Sequence, residues 1–123
     1  MNGSTILIAD PNPDVIGFIK LLLKKRNFKI IIAKSSAEMH SILISYKPKL
    51  IIADASMAGY SALDLIDRIQ SLNLSTKIIE LRAFYAHEAI NRIDDEKRVK
   101  PDAIVRKEEM LESLELVVLA LQK

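Results

Sequence analysis

A chain of 123 residues is long enough to bury its own core and has the size of one domain, so a single domain over residues 1–123 is expected. Half of the residues are apolar, no cysteine is present, and the formal net charge is only +2. This composition excludes disulfides, thiolate metal sites and cysteine nucleophiles, and it gives no reason to expect nucleic-acid binding. No apolar stretch approaches the ~18 residues that span a bilayer, which predicts a cytoplasmic domain with no membrane partner.

The first half of the chain alternates short apolar runs with helical patterns. The first run ends at Asp10, and a turn rich in Pro and Asn leads into a helix predicted to continue to Arg26. A second strand is predicted over 28–33. Ser35 then begins a capping box, which predicts a helix that continues to Tyr46.

The run Leu50–Asp54 is continuously apolar and ends in one carboxylate. Such a run is typical of a strand that is buried on both faces, which requires a parallel sheet with helices on either side. A helix over 61–72 and a fourth strand over 77–81 are predicted to follow it.

The last third of the chain continues the same alternation. A short helix is predicted over 88–93, a fifth strand over 103–105, and a last helix that begins at Glu108. Five strands that alternate with five helices predict an α/β fold, a doubly wound five-stranded parallel sheet with helices on both faces.

Four charged residues end or directly follow predicted strands: Asp10, Asp54, Arg82 and Lys107. The carboxyl ends of parallel strands meet at one edge of a sheet, where ligands bind in folds of this kind. Two carboxylates and two cations can form a structural ionic network. They can equally form a phosphoryl-transfer site, in which an Asp accepts the phosphoryl group and the cations neutralise its oxygens. The spacing leaves both readings open.

Three motifs in the same order resemble the receiver domain of two-component response regulators. They are Asp10 after an apolar strand, Asp54 in KPKLIIADASMAGYSALDLI, and Lys107 in PDAIVRKEE, and together they cover the whole chain. The resemblance implies a CheY-like, flavodoxin-like strand order 2-1-3-4-5. It also implies that Asp54 is the phosphoacceptor and that Lys107 pairs with the phosphoryl group. Asp10, Asp54 and the backbone of Ser56 would then bind Mg²⁺.

The chain departs from the receiver pattern at several positions of that site. Pro11 stands where receivers usually carry a second acid, and Arg82 stands where they carry Ser or Thr. Ile104 replaces an aromatic residue, Glu108 replaces the Pro that follows the lysine, and Ala58 replaces a Pro in the loop after the acceptor.

These departures change the expected charge of the site. Receivers usually place three acids against one lysine, whereas Asp10 and Asp54 here face Lys107 and Arg82, which gives a net charge of zero. We therefore expect Arg82 to lie within hydrogen-bonding reach of one of the two acids and to fill part of the metal pocket. Mg²⁺ binding should be weak or lost, and phosphorylation impaired. On this count, Pro11→Asp restores Mg²⁺ binding only together with Arg82→Thr.

The predicted function is that of a receiver-like signalling domain of a phosphorelay, not an enzyme. It would act through contacts with a sensor histidine kinase or another signalling protein, and possible self-association would use the last helix, where Leu116 and Leu119 widen the apolar surface. One alternative is a fully phosphorylatable, Mg²⁺-dependent receiver. A small flavodoxin-like enzyme or nucleotide binder is disfavoured, because the turn after the first strand has no glycine.

Overall fold

The computed structural model describes residues 4–83 and 100–122. Its parallel strands are β1 Thr5–Ala9, β2 Lys29–Ala33, β3 Leu50–Asp54, β4 Lys77–Arg82 and β5 Ala103–Arg106. The helices of the described ranges are α1 Pro13–Leu22, α2 Ser36–Tyr46, α3 Ala62–Ser71 and α4 Met110–Leu121, and a 3₁₀ turn over Lys107–Glu109 leads into α4. The short helix predicted over 88–93 lies outside the described residues. Across the described ranges, no helix combines the length and the apolar character that a membrane crossing needs.

The sheet has the order β2-β1-β3-β4-β5, and every pair of neighbouring strands is parallel. This confirms the predicted doubly wound fold. Successive strands are added toward one edge of the sheet from β1 to β2 and toward the other edge from β3 onward. In parallel sheets, ligands bind beyond the carboxyl ends of the strands at such a switch point, here between β1 and β3. Ala9 pairs with Ala53 there, so the next residue of each strand, Asp10 and Asp54, lies at the same edge.

Strand residues alternate between two apolar layers, one on each face of the sheet. One layer packs against α1 and α4 and includes Ile8 and Ile52; the other packs against α2 and α3 and includes Leu7 and Ile51. All five residues of β3 are buried. Because each fully buried Leu or Ile side chain contributes about 1.5–3 kcal/mol, the double layer fixes the strand register and therefore the positions of the strand ends.

Side-chain caps begin the first three helices. Asn12, Ser35 and Ser61 each accept a hydrogen bond from a backbone N–H of the first turn. Half of the predicted capping box is present at α2, where Ser35 Oγ accepts the N–H of Glu38, whereas the Glu38 carboxylate accepts the N–H of Lys34 at 2.7 Å rather than that of the cap residue Ser35. These caps satisfy donors that would otherwise lack partners, and each is worth about 1 kcal/mol.

Helix α1 is shorter than predicted and ends at Leu22 rather than Arg26. The N–H of Leu23 bonds to the Ile19 carbonyl and caps the helix, and the Leu23 side chain is buried in the core. The basic residues that follow leave the helix, and Arg26 reaches Glu115 of α4 in a 2.9 Å surface ion pair. Burial of Leu23 thus ends the helix at this point, although the basic residues that follow have a high helix propensity.

Candidate functional site

Asp10 directly follows β1, and its side chain is completely buried. Its Oδ1 accepts the N–H of Asn12 at 2.8 Å, whereas the buried Oδ2 accepts no hydrogen bond from any described residue. Burial raises the pKa of the Asp10 carboxyl above its usual value, and the charge of Asp54 raises this pKa further. The hydrogen bond from Asn12 and the ammonium of Lys107 act in the opposite direction. Asp10 therefore offers one buried oxygen for a cationic ligand.

Asp54 is the last residue of β3 and is 4% exposed. Its Oδ1 accepts two hydrogen bonds from Ser56, from the backbone N–H at 3.0 Å and from the hydroxyl at 2.9 Å. The sequence predicted a role only for the backbone of Ser56, so the hydroxyl contact is an addition. Because Ser56 fixes Oδ1, the orientation of the carboxylate is set, and Oδ2 is directed toward the cation beside it.

Lys107 begins the 3₁₀ turn after β5. Its Nζ lies 3.5 Å from Oδ2 of Asp10 and 3.5 Å from Oδ2 of Asp54. The lysine side chain is 27% exposed, whereas both acids are nearly or fully buried. One ammonium group thus bridges the two carboxylates from the solvent side of the pocket.

Strand alternation explains why these three side chains meet. Asp10, Asp54 and Lys107 each lie two residues after a core residue of the same layer, the one that faces α1 and α4. Those core residues are Ile8, Ile52 and Val105. Since side chains two residues apart in a strand point to the same face, all three charged groups leave the sheet edge on one side.

Arg82 ends β4, is 1% exposed, and contacts Glu80 instead of the two acids. Its Nε donates to Glu80 Oε1 at 2.7 Å, and its Nη2 lies 2.6 Å from the same oxygen. This corrects the prediction that the guanidinium fills the metal pocket. The reason is again alternation, because Glu80 and Arg82 follow Ile78 on the face that packs against α2 and α3.

The contact between Arg82 and Glu80 also corrects the charge count. Because the side chains of Arg82 and Glu80 neutralise each other, the pocket groups among residues 4–83 and 100–122 are two carboxylates and the Lys107 ammonium. The net charge of these described groups is one negative unit rather than the predicted zero. This charge attracts a divalent cation more strongly than the predicted neutral site would. It attracts the cation less strongly than the three acids and one lysine of the usual receiver pattern.

Glu80 has a second partner in the loop after β3. The hydroxyl of Tyr60 donates to Glu80 Oε2 at 2.5 Å. Gly59, just before Tyr60, has a φ of 79°, a conformation that glycine adopts without strain. Sequence reasoning missed both Glu80 and Tyr60. The available signal was an acid inside an apolar strand, two residues before an arginine.

The sequence profile of the response regulator receiver domain matches residues 6–117. The chain belongs to this family. Receiver domains are signalling domains that interact with histidine kinases and effector domains, and they generally bind Mg²⁺ at their acidic pocket.

Two curated proteins illustrate the sequence similarity of this receiver domain. The phosphate regulon transcriptional regulatory protein PhoB of Pseudomonas aeruginosa is 28% identical over 78 residues, which cover 63% of this chain and 34% of that protein. The fimbriae Z protein of Salmonella typhimurium is 31% identical over 96 residues, which cover 73% of this chain and 46% of that protein. The receiver domain thus corresponds to less than half the length of either relative.

Solved receiver domains share the fold. The signal receiver domain of a putative LuxO repressor protein from Vibrio parahaemolyticus has a TM-score of 0.78 at 20% identity and covers 98% of this chain and 91% of that one. The receiver domain of the Francisella response regulator 1452 has a TM-score of 0.77 at 22% identity, with coverage of 97% and 96%.

The donor atoms of this receiver pocket suit a hard cation but are few. The buried Oδ2 of Asp10 lacks a hydrogen bond from any described residue, and carboxylate oxygen is the ligand type that Mg²⁺ prefers. Within residues 4–83 and 100–122, no group of three or more His, Cys, Asp or Glu side chains is placed to bind a metal. The residues thus fit Mg²⁺ in type, with one side-chain donor fewer than the usual receiver pattern.

Proposed function

We propose that this receiver domain is a signalling module whose phosphoacceptor is Asp54. The supporting observation is the position of Lys107, whose Nζ is 3.5 Å from Oδ2 of both Asp54 and Asp10 at the edge of the sheet. An ammonium group beside a fixed carboxylate oxygen is suited to neutralise a phosphoryl group as it arrives. The donor would be a sensor histidine kinase, and the cytoplasmic location stays a prediction.

The mechanism assigns a separate task to each side chain. Ser56 engages Oδ1 of Asp54, so Oδ2 is the oxygen that attacks phosphorus while the bond from phosphorus to the donor breaks. Lys107 pairs with an oxygen of the transferred group. Asp10, Asp54 and the backbone carbonyl of Ser56 would bind Mg²⁺, which neutralises charge on the phosphoryl oxygens when it is bound.

Phosphorylation is proposed to be impaired relative to receivers with the full set of site residues. Pro11 supplies no carboxylate, so the pocket attracts a divalent cation less strongly. Arg82 replaces the usual Ser or Thr hydroxyl at the end of β4, and its guanidinium is engaged by Glu80. The transferred phosphoryl group therefore lacks the hydrogen-bond donor that the Ser or Thr hydroxyl at the end of β4 usually supplies.

A fully phosphorylatable receiver is the second candidate. The Oδ2 of Asp10 accepts no hydrogen bond from a described residue, and the described groups of the pocket have a net negative charge. Both features favour this candidate, because both are suited to a divalent cation. The two candidates differ in rate and in Mg²⁺ affinity, not in the residue that is modified.

Intact-mass spectrometry after incubation with acetyl phosphate tests the proposal. We expect a mass gain of one phosphoryl group that requires Mg²⁺, is absent in Asp54→Asn, and persists in the surface control Asp67→Asn. If half-maximal labelling needs only the Mg²⁺ concentration that receivers with the full set of site residues need, the fully phosphorylatable receiver is favoured. Equal labelling of wild type and Asp54→Asn would refute the assignment of the acceptor.

The output is proposed to pass through protein contacts, including self-association through α4. Leu116 on that helix is 67% exposed, whereas Met110, Leu114 and Val118 are buried in the core. The helix therefore packs on the sheet with one side and presents an apolar residue on another.

A further inference from the structure

Strand β2 lies at one edge of the sheet. Within residues 4–83 and 100–122 it pairs only with β1, and its sequence is KIIIA. Its three isoleucines are half-buried, whereas every residue of β3 in the middle of the sheet is buried. Ile30 and Ile32 contact the layer that faces α1 and α4, and Ile31 contacts the layer that faces α2 and α3. On both faces of the sheet, the described residues therefore leave apolar surface uncovered at this edge.

The backbone of β2 directs alternate residues toward β1 and away from it. The N–H of Lys29 donates to the carbonyl that precedes β1, and the Ala33 carbonyl accepts the N–H of Asp10, both at 3.0 Å. Because residues of a strand alternate, Ile30 and Ile32 direct their N–H and C=O groups away from β1. No hydrogen bond from the described part of the chain satisfies these groups. Such a row of backbone groups can pair with another strand.

Basic residues flank this row of backbone groups. Lys29 and Lys34 lie on either side of the isoleucines, and both side chains are exposed. The N–H of Lys34 donates to Glu38 at 2.7 Å, so the row ends at Ile32. An antiparallel pair of β2 strands centred on Ile31 would bring Lys34 of one copy beside the Lys29 end of the other, and like charges oppose such a pair. The flanking charges therefore favour an acidic partner over a second copy.

We propose that the edge of β2 is a docking site for an extended segment of another protein, with apolar side chains in its middle and acidic residues at its ends. The segment would form a further strand and exchange hydrogen bonds with the outward N–H and C=O groups of Ile30 and Ile32. Its acidic ends would pair with Lys29 and Lys34. A five-residue strand spans about 17 Å, so a segment of about seven residues reaches both lysines. Docking at this edge needs neither Mg²⁺ nor phosphorylation of Asp54.

Binding of two synthetic peptides, measured by fluorescence anisotropy, tests the charge of the partner. The first peptide, Glu-Val-Thr-Val-Thr-Val-Glu, has the proposed chemistry, and the second has lysine in place of both glutamates. We expect the first peptide to bind about tenfold or more tightly than the second, because unlike charges replace like charges at both ends. Lys29→Glu/Lys34→Glu should reverse this preference. Lys49→Glu/Lys77→Glu, the same charge change beside the starts of β3 and β4, should leave it intact. Equal binding of the two peptides to wild type would overturn the proposal.

Two substitutions at Ile32 test the backbone contact. Ile32→Pro removes an outward N–H but no hydrogen bond to β1, and edge strands tolerate proline at such positions. It should weaken binding of the first peptide by about tenfold or more, because one of two main-chain donors is lost. Ile32→Val, which keeps the N–H and has a side chain of similar size to proline, should bind within about threefold of wild type. Equal affinities of the two variants would contradict pairing at this edge.

Hydrogen exchange of the backbone amides in wild type gives a readout that needs no variant. In the absence of peptide, the amides of Ile30 and Ile32 should exchange rapidly, whereas that of Ile31, which faces β1, is protected. A saturating concentration of the first peptide should slow exchange at Ile30 and Ile32 by about tenfold or more. Peptide binding with unchanged exchange at both amides would locate the site elsewhere and overturn the proposal. Protection without peptide that grows with protein concentration would overturn it as well, because a second copy would then occupy the edge.

Discussion

The Arg82 guanidinium pairs with the carboxylate of Glu80, two residues earlier on the same strand, through Nε at 2.7 Å and Nη2 at 2.6 Å. Both side chains are buried, so the pair is shielded from solvent and its geometry matters. The pairing separates the arginine from the acceptor pocket, whose charge is then set by Asp10, Asp54 and Lys107. Several consequences for metal binding and stability differ from those that the sequence alone suggests.

Pro11→Asp alone should strengthen Mg²⁺ binding by about tenfold or more, because it adds a carboxylate to a pocket that already has a negative charge. This replaces the expectation that Arg82→Thr is also required. Titration calorimetry compares the variant with wild type, and Asn73→Asp, which adds an acid in the exposed turn after α3, is the control. Equal affinities for wild type and Pro11→Asp would contradict the revised charge count.

Arg82→Thr should destabilise the fold by about 3–5 kcal/mol, because it leaves Glu80 buried without its cation. Replacing both partners, in Glu80→Gln/Arg82→Gln, should cost less, since no buried charge remains. Urea unfolding of the three proteins measures the difference in the free energy of unfolding. A loss below about 1 kcal/mol in Arg82→Thr would show that the pair contributes little to stability.

Stability should fall as the pH drops below about 6.5, in part through His40. Burial lowers the pKa of His40, the charge of Arg68 lowers it further, and Asp64 opposes the shift. A histidine with a lowered pKa in the folded state stabilises fully above its unfolded pKa, and this contribution is lost as the pH falls toward the folded value. Urea midpoints measured between about pH 5 and pH 8 should therefore depend less on pH in His40→Gln than in wild type. Parallel curves for wild type and His40→Gln would contradict this prediction.

Leu116→Lys should abolish self-association while it changes the free energy of unfolding by less than about 0.5 kcal/mol, because the side chain is exposed. Sedimentation equilibrium measures association, and Ile44→Lys, an exposed residue on the opposite face of the sheet, is the matched control. Leu119 is half-buried, so Leu119→Lys would also disturb packing of α4, and Leu116→Lys alone is the better test. If wild type, Leu116→Lys and Ile44→Lys all associate to the same extent, α4 is not the association surface.

The sequence was sufficient to predict the fold because apolar runs and turns recur in a regular alternation. It also placed Asp10, Asp54 and Lys107 at one edge, since each ends or follows a strand. The predicted contact of Arg82 with the two acids is wrong, because position along a strand does not by itself give the face to which a side chain points. Counting by two from Ile78 would have paired it with Glu80.

Helix details show a second limit of sequence patterns. The helical pattern over 61–72 predicts an inner side with Leu63, Ile66, Ile69 and Gln70, but the buried residues are Ala62, Leu65 and Ile69, so only Ile69 is predicted correctly. The Ser61 cap fixes where the helix begins, and that starting point determines which residues face the sheet. Neither the helical rotation nor the contact between Tyr60 and Glu80 follows from periodicity, because both depend on how the loop after Asp54 meets β4.

Chemical trapping of the phosphorylated residue is the most direct test of the proposed acceptor. Borohydride reduces an aspartyl phosphate to the corresponding alcohol, so peptide mapping by mass spectrometry after treatment with acetyl phosphate and Mg²⁺ identifies the modified residue. We expect reduction at position 54 in wild type, and at no position in Asp54→Asn. Reduction at another residue, or none in wild type under conditions that label an unaltered receiver domain, would contradict the assignment of Asp54 as the phosphoacceptor.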